Sequence, residues 1–134
     1  MCWCISGSPY EASKVLGVSP VDGPLIKYQN FVGETTFHSR TVRDEFDFIK
    51  LKVPCGEGNF PKNCEGMSGG GIWLVPLSID PNRDPKTIRH ESPILAGVSF
   101  YQSEIEDGER VITGHGYDSI YSRVRQALKE LKQA

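Results

Sequence analysis

Asn63-Cys64-Glu65-Gly66-Met67-Ser68-Gly69-Gly70-Gly71-Ile72-Trp73-Leu74-Val75 is the stretch that decides what kind of molecule this is. A serine flanked by glycines fits two architectures. In a strand-turn-helix elbow, a helix must begin directly behind the serine. Here three glycines follow, then an aromatic and β-branched run closed by Pro76, which makes a poor helix and a good strand. Ser68 therefore stands on a bend that leads into a strand, and the chain reads as all-β.

Working outward, the same pattern repeats. Trp3 to Ser6 is apolar and stopped by Gly7-Ser8-Pro9, and Lys14 to Ser19 is a second turn-flanked segment. Leu25 to Phe31 and Glu34 to His38 suggest a hairpin around Gly33. Asp47 to Val53 alternates apolar residues with lysines, as a half-buried strand does, and Pro54 to Gly71 is a loop. Ile72 to Leu77, Ile94 to Tyr101 and Arg110 to Thr113 complete the strands, with a polar excursion at Asp80 to Lys86 and a turn at Glu104 to Arg110. About seven short strands with close turn signals spell a barrel or a sandwich. Only the C-terminus is helical: Tyr117, Ile120, Tyr121, Val124, Leu128 and Leu131 recur at three- and four-residue steps, with Asp118 or Ser119 as N-cap. That helix is expected to lie against the strands. No repeat or linker interrupts residues 1–134, which read as a single domain.

Composition agrees. Fourteen glycines and nine prolines in 134 residues exceed the usual share of roughly one residue in eight, which disfavours a helical bundle. A net charge of -2 offers no basic footprint for nucleic acid, and no apolar stretch approaches the roughly 20 residues of a spanning helix. Neither nucleic acid nor membrane is expected as a partner. The start, Met1-Cys2-Trp3-Cys4-Ile5, does not read as a secretory signal, and nothing indicates a compartment. Cys2, Cys4, Cys55 and Cys64 lack the two-residue knuckles of familiar zinc sites. A Cys55 to Cys64 disulfide and free thiols both remain open, with free thiols favoured. No metal or cofactor is expected.

A serine hydroxyl is a weak nucleophile. It needs exposure on a tight turn, a base to take its proton, and donors for the oxyanion. Gly66 lets the backbone turn the amides of Gly66 and Ser68 toward one point, and the glycines behind Ser68 clear the approach. The bland reading is a glycine-rich surface loop. Beyond it, the chain resembles the trypsin-like (chymotrypsin-fold) serine peptidases, specifically their second β-barrel and C-terminal helix. Gly66-Met67-Ser68-Gly69-Gly70 is similar to that family's Gly-x-Ser-Gly-Gly loop. Leu95-Ala96-Gly97-Val98-Ser99-Phe100-Tyr101 is similar to its substrate-pairing strand, and Ile120-Tyr121-Ser122-Arg123-Val124 to the segment leading into the last helix. Gly7-Ser8-Pro9 is similar to the turn that opens the second barrel. Three departures stand out: Met67 replaces the aspartate of zymogen-activated members, Gly71 the common proline, and Phe100-Tyr101-Gln102 the usual Ser-Trp-Gly.

The resemblance implies a six- to seven-stranded antiparallel Greek-key barrel with a C-terminal helix. It implies a serine endopeptidase working through an acyl-enzyme, with Ser68 as nucleophile and the Gly66 and Ser68 amides as oxyanion hole. Phe100, Tyr101 and Gln102 would contact a peptide or protein substrate, and Lys62, six residues before Ser68, would favour an acidic side chain in the specificity pocket. Histidine and aspartate would come from an N-terminal barrel absent from this sequence, or from a complementing chain; alone, this chain is expected to be nearly inactive. His38 with Asp44 or Asp47 keeps the family's order but sits on the same small barrel as Ser68, so it is rejected, and Asp47 reads as a strand-edge charge. His90 and His115 read as solvated or structural. The alternative function is a non-catalytic β-barrel module that pairs an extended peptide with the edge of Ile94 to Tyr101. A barrel without its partner is also expected to expose an apolar face that includes Trp3 or Phe31.

Overall fold

A computed structural model of the chain describes residues 1–79 and 88–133. Six antiparallel strands close into a barrel: β1 (Cys2–Gly7), β4 (Phe31–Arg43), β5 (Phe46–Pro54), β10 (Glu109–Gly116), β9 (Ile94–Gln102) and β6 (Gly71–Val75), neighbours in that order, with β6 returning beside β1. Taken in sequence, the first four barrel strands lie in the spatial order 4-1-2-3 of a Greek key. Two small hairpins stand outside the barrel, β2 (Lys14–Ser19) with β3 (Gly23–Lys27) and β7 (Leu77–Ile79) with β8 (Ile88–His90). A π-helical turn (Asp118–Ser122) leads into α1 (Arg123–Gln133).

Alternation produces the core. Along β5 every second residue, Asp47, Ile49, Leu51 and Val53, points inward and is buried. Ile5 of β1, Ile72 of β6 and Ile112 of β10 meet them, and Cys64 and Met67 close the barrel end from the loop after β5. Trp3 and Phe31 are half-buried against this cluster, so they do not form the expected bare face. Exposed apolar side chains gather instead on the β2–β3 hairpin, at Val15, Leu16, Val18, Val21 and Leu25.

Several local expectations are corrected. No hairpin turns at Gly33. β4 runs straight through it, because Gly33 faces inward opposite Ile5, where a Cβ would meet the Phe31 ring at 2.4 Å. The chain reverses at Asp44-Glu45, both with positive φ, and at the turn between β2 and β3. Pro76 splits Ile72 to Leu77 into β6 and β7. β10 continues to Gly116, and its glycines admit neighbours: a Cβ at Gly116 would lie 2.3 Å from the Asp47 carboxylate. The Asp80 to Lys86 excursion lies outside the described residues.

The helix also differs. Val124, Leu128 and Leu131 are all exposed, and the helix meets the barrel mainly through the π-helical turn against β5 and β10. Neither Asp118 nor Ser119 caps with its own side chain. The cap is Asp47, read from sequence as a strand-edge charge but only 1% exposed. Its carboxylate accepts the Ser119 amide at 2.7 Å, the Asp118 amide at 3.4 Å and Arg40 Nε at 3.1 Å.

Candidate functional site

The loop between β5 and β6 is held at both ends and bent in the middle. Met67 is buried and pins the bend to the core; its amide donates to the Cys64 carbonyl at 3.1 Å. Behind the bend, the Gly69 amide donates to the Ser99 carbonyl at 2.7 Å, and the Ser99 amide to the Gly70 carbonyl at 2.9 Å, stitching the loop to β9. The Ser99 hydroxyl adds a bond to the Met67 carbonyl at 2.9 Å.

Glycine is required twice for geometry. Gly66 has φ +89, and a Cβ there would strike the Tyr10 ring at 2.7 Å. Gly70 passes so close to β1 that a Cβ would sit 2.0 Å from the Ser6 carbonyl.

Ser68 is left at the crest, exposed, with a strand and no helix following it. Its hydroxyl donates one long bond, 3.4 Å, to the Phe100 carbonyl. Among the described residues, the amides of Gly66 and Ser68 donate to no acceptor, whereas those of Met67, Gly69 and Gly70 are all engaged. An exposed hydroxyl is accessible to an electrophile, and uncommitted amides can donate to negative charge; attack would still need a base to take the hydroxyl proton.

The bend opens onto a cleft of about 270 Å³, bordered by Gly66, Ser68, Phe100, Tyr101 and Gln102 with Met67 and Ile112 behind them. Five of the six site residues read from sequence thus meet around one cavity. Lys62 does not: it is exposed and absent from the lining, its stem beside Gly56. Gln102 is spent on architecture, accepting the Cys64 amide at 3.1 Å and donating to Asn63 Oδ1 at 2.8 Å. Asn63 and Ser99 were not singled out from sequence. Asn63 carries a turn signal, its Oδ1 also accepting the Glu65 amide at 2.9 Å, but a buried serine such as Ser99 has no local signature.

Among the described residues, β9 beyond Ser99 is paired with β10 alone, and β6 pairs with the part from Ile94 to Val98. Phe100 to Gln102 therefore presents, among the described residues, a strand edge with no second strand paired to it, beside Ser68.

No histidine serves Ser68 among the described side chains. His38 is exposed on β4, three strands round the barrel from β9. His115 lies on β10 with its ring 4.9 Å from Phe100 and 5.2 Å from Phe48, and its Nδ1 is buried without a partner. His90 belongs to β8, and its side chain lies outside the described set.

All four cysteines are free. Burial pushes the Cys64 thiol up to about 11; burial, the Cys4 thiol and Glu34 push Cys2 up to about 12. Both are protonated and poorly nucleophilic at neutral pH. Among the described residues no group of three His, Cys, Asp or Glu side chains converges to hold a metal ion.

Fold and site together define a six-stranded antiparallel barrel that displays a serine on a glycine-flanked bend beside a free strand edge. No protein-family model, curated protein or solved structure matches the chain.

Proposed function

We propose that this chain is the nucleophile-bearing barrel of a serine endopeptidase of the trypsin-like kind. One observation carries the reading: the Ser68 hydroxyl is exposed on a hydrogen-bonded bend whose Gly66 and Ser68 amides have no acceptor among the described residues. In the proposed reaction Ser68 Oγ attacks a peptide carbonyl carbon, and its proton passes to a histidine supplied by another barrel or chain. The oxyanion accepts from the Gly66 and Ser68 amides, the amine departs with the proton, and water then releases the acyl group from Ser68. The substrate backbone pairs with Phe100 to Gln102.

The test is covalent labelling by a fluorophosphonate probe, with the chain mixed with the polypeptide encoded directly upstream. Wild-type chain labels in the mixture and Ser68→Ala does not. Without a base, labelling of the chain alone falls by several orders of magnitude. If Ser68 stays unmodified in the complemented mixture, the peptidase reading is lost.

A second reading is favoured by the free edge itself, which needs no hydroxyl to pair with an extended peptide. A non-catalytic module binds peptide equally well with Ser68 and with Ser68→Ala, and neither form is labelled.

A further inference from the structure

Next to the Ser68 cleft, on the outer face of the barrel, lies a second groove of about 550 Å³. The two share Phe100 and Tyr101, so one ligand that crosses these two residues reaches both. The groove spans four strands side by side: Thr41, Val42 and Arg43 of β4, Phe48 and Lys50 of β5, Thr113 of β10, and Phe100 and Tyr101 of β9.

Its wall is aromatic. The Phe48 and Phe100 rings meet edge to face at 6.2 Å, and the His115 ring packs against both. The two charged side chains that line it among the described residues are both positive. The Arg43 guanidinium lies 5.5 Å over the Phe48 ring, which holds it at the groove, and Lys50 stands two residues along the same strand from Phe48. Among the described residues no acidic side chain lines the groove. Among the described residues Lys50 has no ion pair, and Arg43 has only a loose one, 3.9 Å to exposed Asp44. This is a local inversion of sign in a protein of net charge -2.

We propose that this groove selects peptides carrying an acidic side chain beside the segment that lies across Ser68. The proposal rests on reading Phe100 to Gln102 as the substrate-pairing edge. It moves the acidic preference expected of Lys62 to Arg43 and Lys50. The backbone of such a peptide pairs with the edge, and its flanking segment crosses Phe100 and Tyr101 onto the barrel face, where an acidic side chain meets Arg43 and Lys50.

Fluorescein-labelled peptides of alternating Glu and Val, and of alternating Gln and Val, separate charge from shape when their binding to the chain is followed by fluorescence anisotropy at low salt. The Glu peptide is expected to bind about tenfold more tightly than the Gln peptide, two partly exposed cations each contributing a modest share. The double variant Arg43→Gln/Lys50→Gln removes that preference. Lys52→Gln keeps it, because Lys52 lies outside the groove and is paired with Glu109. Equal binding of the two peptides, failure of both to bind, a preference that survives the double variant, or one that Lys52→Gln also erases would each overturn the proposal. Fluorophosphonate labelling of Ser68 is scored separately: a Glu preference without labelling removes the nucleophile and keeps the groove, and labelling without a Glu preference does the reverse.

Discussion

Two serines in this barrel have opposite surroundings. Ser119 is buried, and its hydroxyl is fully occupied: it accepts the Asp47 amide at 2.8 Å and lies 2.7 Å from the Asp47 carboxylate as donor. Ser68 is exposed, its single bond is long, and the amides at Gly66 and Ser68 are idle. A buried polar group left unpaired costs stability, so the first arrangement locks the C-terminal turn onto β5. An exposed group with spare donors contributes little to folding and is free to act on something else. Satisfaction marks the structural serine, and its absence marks the candidate for chemistry.

The most damaging way to probe this contrast is at Asp47. Burial alone would raise its carboxyl, but the Ser119 hydroxyl and amide, Arg40 and the Asp118 amide together hold it below the usual carboxylate range. Asp47→Asn puts an amide group where donors converge, and is expected to cost about 3 kcal/mol at pH 7 in urea unfolding. A depressed folded pKa contributes stability above the unfolded value, near 4, and loses it as pH falls through the folded value. The gap between wild type and Asp47→Asn should therefore shrink below about pH 4. An equal gap at pH 3 and pH 7 would mean that the charge is not what the knot uses.

The display of Ser68 can be broken next. Gly70→Ala drives a methyl against the Ser6 carbonyl, a backbone atom that cannot step aside, and is expected to destabilise by about 2 kcal/mol. Gly69→Ala has open space and only its φ of +85 to resist it, so about 1 kcal/mol is expected. If the two variants unfold at the same urea concentration, the close approach to β1 is not what fixes the bend.

The ladder of strands was legible because it is written locally. β5 alternates, Gly7-Ser8-Pro9 and Pro54 stop their strands, and the glycines after Ser68 exclude a helix there. What escaped depends on contacts between residues far apart in the chain. Gly33 looks like a turn, yet its neighbours Phe31 and Phe60 demand a glycine inside a strand. Asp47 looks like a surface charge because the groups that bury it against the turn, Ser119 and Asp118, are more than seventy positions away. Lys62 lies at a suggestive spacing from Ser68, but spacing along a loop does not fix direction, and the side chain stays outside the cleft. The helical stripe was visible, but which surface covers it is not encoded in periodicity; in the fold Val124, Leu128 and Leu131 face outward.

The smallest expected effect is the sharpest test. Ser68→Ala removes a hydroxyl whose one bond is 3.4 Å long and open to water, so urea unfolding should move by less than about 0.5 kcal/mol. Ser119→Ala, the same chemical change, leaves the Asp47 amide without its acceptor and should cost about 1–2 kcal/mol. If Ser68→Ala proves as costly as Ser119→Ala, the hydroxyl is holding β9 to the bend, and its exposure has been misread as availability. If it is neutral, the energy that keeps the bend in place comes from Met67, Ser99 and the close-packed Gly70, and the fold does not need the hydroxyl.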